Sequence, residues 1–253
     1  MKPILLVHGI ASNARHTFGV PGHFSRKPKE GSMFSFLISE GYQPGENLFW
    51  FSYPTLDPIL KSAKRLKLEI AKAKALSGSP KIDLVTFSLG GIIGKYYTAS
   101  PFYQNDINKL IMIAPPFLGS PRADFCKTEF HKNKRDLFLP GDSRALTPLI
   151  LGRRHPLLLE LAGCPFPSHI QTAIIAMKLN IDKNKHPFQG KIAAWIGEGD
   201  QTVPVQSTEI EANRHYIVED DYAPHKIHGF LPGHKEIQKI VLQELKGDGG
   251  RSL

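Results

Sequence analysis

Ser88 stands in the run Thr86-Phe87-Ser88-Leu89-Gly90-Gly91, between an apolar stretch from Ile82 to Phe87 and another from Leu89 to Tyr97. A serine on a sharp strand-to-helix turn is held out at the edge of a sheet. The helix behind it points free N–H groups toward any negative charge that develops there. That combination suits nucleophilic attack on a carbonyl. A serine that only caps the helix would leave the same local pattern. The hydroxyl is a weak nucleophile alone, so it needs a base, and the base needs an acid to orient it. Downstream, the chain offers Glu198, Asp200 and the Asp220-Asp221 pair as acids, and His225, His228 and His234 as bases.

The Ser88 run resembles the nucleophile elbow of the α/β-hydrolases, whose usual form is G-x-S-x-G. Gly90 matches, whereas Thr86 replaces the usual small residue. In such an elbow the residues two before and two after the serine crowd each other, so Thr86 requires the turn to open or to pack differently. Pro3-Ile4-Leu5-Leu6-Val7-His8-Gly9-Ile10 resembles the oxyanion strand that opens lipases and esterases of this type. The resemblance implies that the backbone N–H groups of Ile10 and Leu89 form the oxyanion hole, that Gly9 lets the backbone approach, and that His8 is structural. Gly197-Glu198-Gly199-Asp200, followed by Val203-Pro204, resembles the acid-bearing loop and implies Asp200 as the acid. The family's order is nucleophile, acid, histidine. It implies His228 as the base, with apolar Leu231 three positions on, ahead of His225 and of His234 at the entry to the last helix.

These residues need a scaffold, and the patterning supplies one. Apolar runs at Ile4–Val7, Asn47–Tyr53, Ile82–Phe87, Leu110–Ala114, Lys191–Ile196 and His215–Val218 read as strands. Between them lie helical patterns: Ser32 capping Met33 to Ile38, Asp57-Pro58 opening a helix through Ala73 that Gly78 ends, Leu89 to Tyr97, and Ile237 to Leu245. Alternation of this kind predicts an α/β fold with a doubly wound, mostly parallel central sheet in a single domain over residues 1–253, and the resemblance implies that it is the α/β-hydrolase arrangement.

Residues 115–190 are too many for an ordinary connection and predict a helical cap or lid insertion. Leucine-rich helices are expected at Asp142–Leu151 and Pro156–Leu161, with Arg153-Arg154-His155 between them. The insertion opens with Ala114-Pro115-Pro116-Phe117-Leu118-Gly119-Ser120-Pro121-Arg122-Ala123, which resembles the P-x-x-G-S-x-x-A stretch after the matching strand in bacterial lipases. A cap would receive an acyl chain; a packed subdomain would bury the same leucines in its own core.

The resemblance thus implies a serine esterase or lipase-like hydrolase that cleaves small-molecule acyl esters through Ser88, His228 and Asp200. A thioesterase, amidase or acyltransferase would use the same residues, and a hydrolase fold can also serve as a non-catalytic binding module. The 11 histidines are dispersed without metal-ligand spacing, and no glycine-rich phosphate loop appears, so neither metal nor cofactor is expected. The net charge of +9 comes from scattered lysines, which excludes a nucleic-acid arm but suits transient contact with an anionic lipid surface. Without a signal-like or membrane-spanning run, and with only Cys126 and Cys164 outside any CxxC pattern, a cytoplasmic protein with free thiols is expected. A Cys126–Cys164 bridge would fit export by a route without a cleaved signal.

Overall fold

The computed structural model describes residues 1–22, 27–124 and 151–247. Six strands form one sheet: β1 (Ile4–Val7), β2 (Leu48–Phe51), β3 (Ile82–Phe87), β4 (Ile107–Ile113), β5 (Gln171–Asn180) and β6 (Arg214–Asp221). Their order is β2-β1-β3-β4-β5-β6, and every neighbouring pair is parallel. β1 is apolar throughout, and β3 and β4 are mostly so, because both faces of the sheet are covered.

Alternation along each strand splits the interior into two cores. One face carries Leu5, Val7, Leu84, Leu110 and Met112 against α3 (Ile59–Ser77) and α4 (Leu89–Ala99), through Leu66, Ile70, Ile92 and Tyr97. The other carries Ile4, Leu6, Val85, Ile111 and Ile175. It packs on α1 (Ala14–Phe18), α2 (Met33–Ser39) and α7 (Lys235–Lys246) through Phe18, Phe34, Leu37, Ile237 and Val241.

Several boundaries follow local chemistry. The Ser32 hydroxyl caps α2 by accepting from Ser35 N–H, and Gly78 ends α3 with φ of 66°, a left-handed conformation that glycine adopts without steric cost. Pro58 occupies the N-cap of α3, one residue earlier than the first helical position expected for it.

Two expectations need correcting. Lys191–Ile196 is not a strand; it is the second half of α6 (Pro187–Ile196), started by Pro187 in its first turn. The sheet strand is instead β5, which lies inside the span 115–190 assigned wholly to an insertion. Short apolar runs such as these cannot be sorted into helix and strand by periodicity. The chain between β4 and β5 is therefore residues 114–170. The helix expected at Pro156–Leu161 is present as α5 (Pro156–Gly163), where Leu158 and Leu161 are buried on the α4 side. The helix expected at Asp142–Leu151, and Cys126, lie outside the described residues apart from Leu151. Among the described residues no helix is long and apolar enough to cross a membrane.

Candidate active site

The chain runs from β1 outward to β2 and then returns to place β3 on the other side of β1. At such a reversal the loops leaving two adjacent strands diverge and open a crevice at the strands' C-terminal ends. His8, Gly9 and Ile10 follow β1 there, and Ser88 follows β3.

Ser88 has φ of 53° and ψ of −120°, a conformation that costs a non-glycine residue roughly 1–3 kcal/mol. Its N–H donates to the Ile113 carbonyl at 2.8 Å, which ties the turn to β4. Leu89 is the first residue of α4, so its N–H has no acceptor within the helix. Among the described residues no acceptor engages the Ile10 N–H either. Gly9 brings that segment in close: a Cβ there would lie 3.0 Å from Ser88 Cβ and 3.1 Å from Phe87.

The expected crowding between positions 86 and 90 is not what the turn shows. A Cβ on Gly90 would run into the Val7 carbonyl oxygen and come within 2.8 Å of that of His8, so it is β1 that demands glycine. Thr86 is buried, and its Oγ1 donates to the Ile111 carbonyl at 3.3 Å. It faces Gly91 and Gly94, where Cβ atoms would lie 3.5 Å from Oγ1 and 3.6 Å from Cγ2. Those are ordinary van der Waals distances; the tight neighbours are Pro115 at position 91 and Leu110 at position 94, where a Cβ would lie 2.8 and 3.2 Å away.

His228 Nε2 lies 2.9 Å from Ser88 Oγ, and His228 Nδ1 lies 2.6 Å from Asp200 Oδ2. An ionised carboxylate only accepts, so Nδ1 carries the proton toward Asp200 and Nε2 is left to accept from the serine hydroxyl. Asp200 is fully buried. Its Oδ1 accepts from the Thr202 and Val203 N–H groups at 2.9 and 2.7 Å, and its carbonyl accepts from His228 N–H at 3.1 Å. Phe87 packs on the imidazole with ring centroids 4.8 Å apart. Leu231 is buried beneath the loop.

Asp200 does not follow a strand, as the sequence suggested. Its loop comes after α6 and is docked back on β5, where Leu179 N–H donates to the Gly199 carbonyl at 3.1 Å. The other acids and bases are elsewhere. Glu198 is 76% exposed beside Lys178, His225 is exposed, and His234 pairs with Asp220 at 2.8 Å.

His8 is structural in this geometry. It is buried and stacked on Tyr53, with Nδ1 2.8 Å from the Gly9 carbonyl and Nε2 accepting from Tyr53 N–H. Burial pushes its pKa down, which keeps the ring in the neutral form that can both donate and accept. The Tyr53 hydroxyl donates to the His8 carbonyl at 2.7 Å and fixes the end of β1. The sequence marked Tyr53 only as the end of an apolar run, not as part of the site. Thr202 and Val203 were within reach, because an aspartate that opens a turn commonly accepts from N–H groups two and three residues on.

Among the described residues no group of three His, Cys, Asp or Glu side chains is disposed to hold a metal ion. A cleft of about 620 Å³ lies between the insertion, at Leu118, Arg153, Arg154 and Leu159, and the acid loop, at Pro204, Gln206 and Ser207. Ser120 joins the two, its hydroxyl donating to the Thr202 carbonyl at 2.5 Å.

No protein-family model and no curated protein sequence matches this chain. Solved structures do. The mature form of Bacillus licheniformis lipase BlEst2 superposes with a TM-score of 0.69 at 16% identity, covering 96% of this chain and 91% of the lipase. A metagenomic carboxyl esterase gives 0.59 at 14% identity, covering 98% and 76%. Phospholipase PlaB from Legionella pneumophila also gives 0.59, at 18% identity; the match covers 83% of this chain but only 46% of the phospholipase. The chain has the α/β-hydrolase fold.

Proposed function

We propose that this chain is a serine hydrolase that cleaves carboxylic esters of acyl or lipid type. The observation that carries the reading is the continuous path from Ser88 Oγ through His228 to a buried Asp200, in links of 2.9 and 2.6 Å. The structural neighbours named as lipase, phospholipase and carboxyl esterase support the ester class.

In this reading His228 Nε2 takes the Ser88 proton as Oγ attacks the ester carbonyl carbon. The negative oxygen of the tetrahedral intermediate is met by the Ile10 and Leu89 N–H groups; one such donor is worth roughly 3 kcal/mol. Collapse breaks the ester C–O bond, and His228 returns the proton to the departing alkoxide. Water then attacks the acyl-enzyme carbonyl with His228 as base, releasing the acid and restoring the serine. Asp200 holds the imidazole tautomer and stabilises the imidazolium in both halves.

The segment 115–170 is the cap in this reading, and its cleft against the acid loop receives part of the substrate. The net charge of +9 favours approach to an anionic lipid surface that carries such esters. The test is turnover of p-nitrophenyl esters of graded chain length beside the matching thioesters and anilides. Ester cleavage that disappears in Ser88→Ala supports the reading. Thioester or anilide turnover with inert esters reassigns the leaving group, and no turnover of any of them overturns it.

A further inference from the structure

The histidine proposed as base sits on a long excursion. β6 ends at Asp221, short 3₁₀ stretches follow at Pro224–Lys226 and His228–Gly233, and α7 begins at Lys235. Irregular backbone of this kind holds a side chain accurately only if something fixes both of its ends. Asp220 meets both. Its Oδ1 lies 2.7 Å from Lys226 Nζ, two residues before His228, and its Oδ2 lies 2.8 Å from the Nε2 of His234, the N-cap of α7. Oδ1 also accepts from Asp221 N–H at 2.8 Å, so the carboxylate is itself oriented. The other ring nitrogen of His234, Nδ1, is buried with no partner among the described residues, which leaves Asp220 as the group that aims the ring.

The position of Asp220 in the sheet adds a second connection. Asp220 is paired with Leu179 across β5 and β6, and it is the Leu179 N–H that holds the acid loop by donating to the Gly199 carbonyl. One rung at the C-terminal edge of the sheet therefore holds the loop of Asp200 through one strand and the loop of His228 through the other.

We propose that Asp220 is a positioning residue that sets His228 against Asp200 and Ser88 by clasping Lys226 and His234 on either side of it. The inference rests on His228 being the base. It accounts for why a second histidine–carboxylate pair lies beside the first without a nucleophile of its own.

The experiment compares wild type with Asp220→Asn, Asp220→Ala, Lys226→Met and His234→Gln in p-nitrophenyl butyrate hydrolysis. A ¹H NMR spectrum of each follows the far-downfield proton shared by His228 and Asp200. Loss of the clasp displaces the imidazole but not the substrate cleft. Both Asp220 variants should therefore lose up to about 100-fold in kcat with KM unchanged, and the downfield resonance should broaden or vanish. Each one-arm variant should lose less, and adding Asp220→Asn to the Lys226→Met, His234→Gln double variant should cost nothing further. Wild-type kcat with an unchanged resonance in Asp220→Asn overturns the proposal, as does a loss shared equally between kcat and KM. Should the Asp220 variants fail to fold, the one-arm variants carry the same test. Ser88→Ala separates the two ideas: if it turns over ester like wild type, the hydrolase reading falls, and the resonance alone decides the role of Asp220.

Discussion

Two histidine–carboxylate pairs of nearly equal length lie at the same edge of the sheet. His228 and Asp200 are 2.6 Å apart, His234 and Asp220 2.8 Å. Their surroundings differ. The Asp200 side chain is 1% exposed and its free oxygen takes two backbone N–H groups, while the Asp220 side chain is 27% exposed and faces Lys226. The rings also point differently. His228 gives Nδ1 to its carboxylate and turns Nε2 to Ser88, whereas His234 gives Nε2 and buries Nδ1 with no partner among the described residues. The pair type is the same in both. What separates a candidate relay from a clasp is whether the far nitrogen meets a nucleophile on a strained turn.

The largest expected effect that would break this comparison is in Asp200→Asn. Replacing the acid with an amide favours the wrong imidazole tautomer and should lower kcat by about 10⁴-fold. Asp220→Asn acts only through position, so steady-state kinetics should rank the two variants well apart; equal losses would erase the distinction.

Gly90→Ala should come next. Its methyl meets the carbonyls of Val7 and His8, which are backbone and cannot rotate away. Overpacking of this kind costs about 1–3 kcal/mol. Thermal melting should show that loss, and acylation of Ser88 should slow. The NMR signals of His234 should stay in place, because the clasp does not depend on β1.

The smallest effect is in pH dependence. Lys226 first, and then His234, hold the Asp220 carboxyl down at about 2, below its ordinary 3.8. The folded state therefore binds fewer protons than the unfolded chain between those values. Its stabilising contribution is complete above 3.8 and fades as pH falls toward 2. The gap in denaturation midpoint between wild type and Asp220→Asn should narrow as pH falls through that window.

How much of this could be read from the sequence depended on what kind of signal each part left. Strands β1 and β3 were legible because a run buried on both faces is apolar at most positions, Asp83 and Thr86 being the exceptions, and the Ser88 turn because it sits between two apolar runs. The clasp was not legible. Asp220 and His234 appeared only as weaker candidates for the acid and the base, and nothing in residue spacing tells that two rejected candidates meet each other. β5 was missed for a different reason. Gln171–Asn180 and Lys191–Ile196 are similar apolar runs, and only the pairing of the first with β4 and β6 separates them. The one local clue was Pro187, which belongs at a helix start. Thr86 looked like a defect because Gly90 was read as answering to it, whereas Gly90 answers to the carbonyls of Val7 and His8.

The central claim is that Ser88 is a nucleophile activated by His228. Treatment with a fluorophosphonate probe, followed by intact-mass analysis and peptide mapping, tests it most directly. A single adduct on the peptide containing Ser88 is expected in the wild-type protein, with none in Ser88→Ala and a much slower one in His228→Ala. Equal labelling of Ser88→Ala, or an adduct on another residue, would contradict the account.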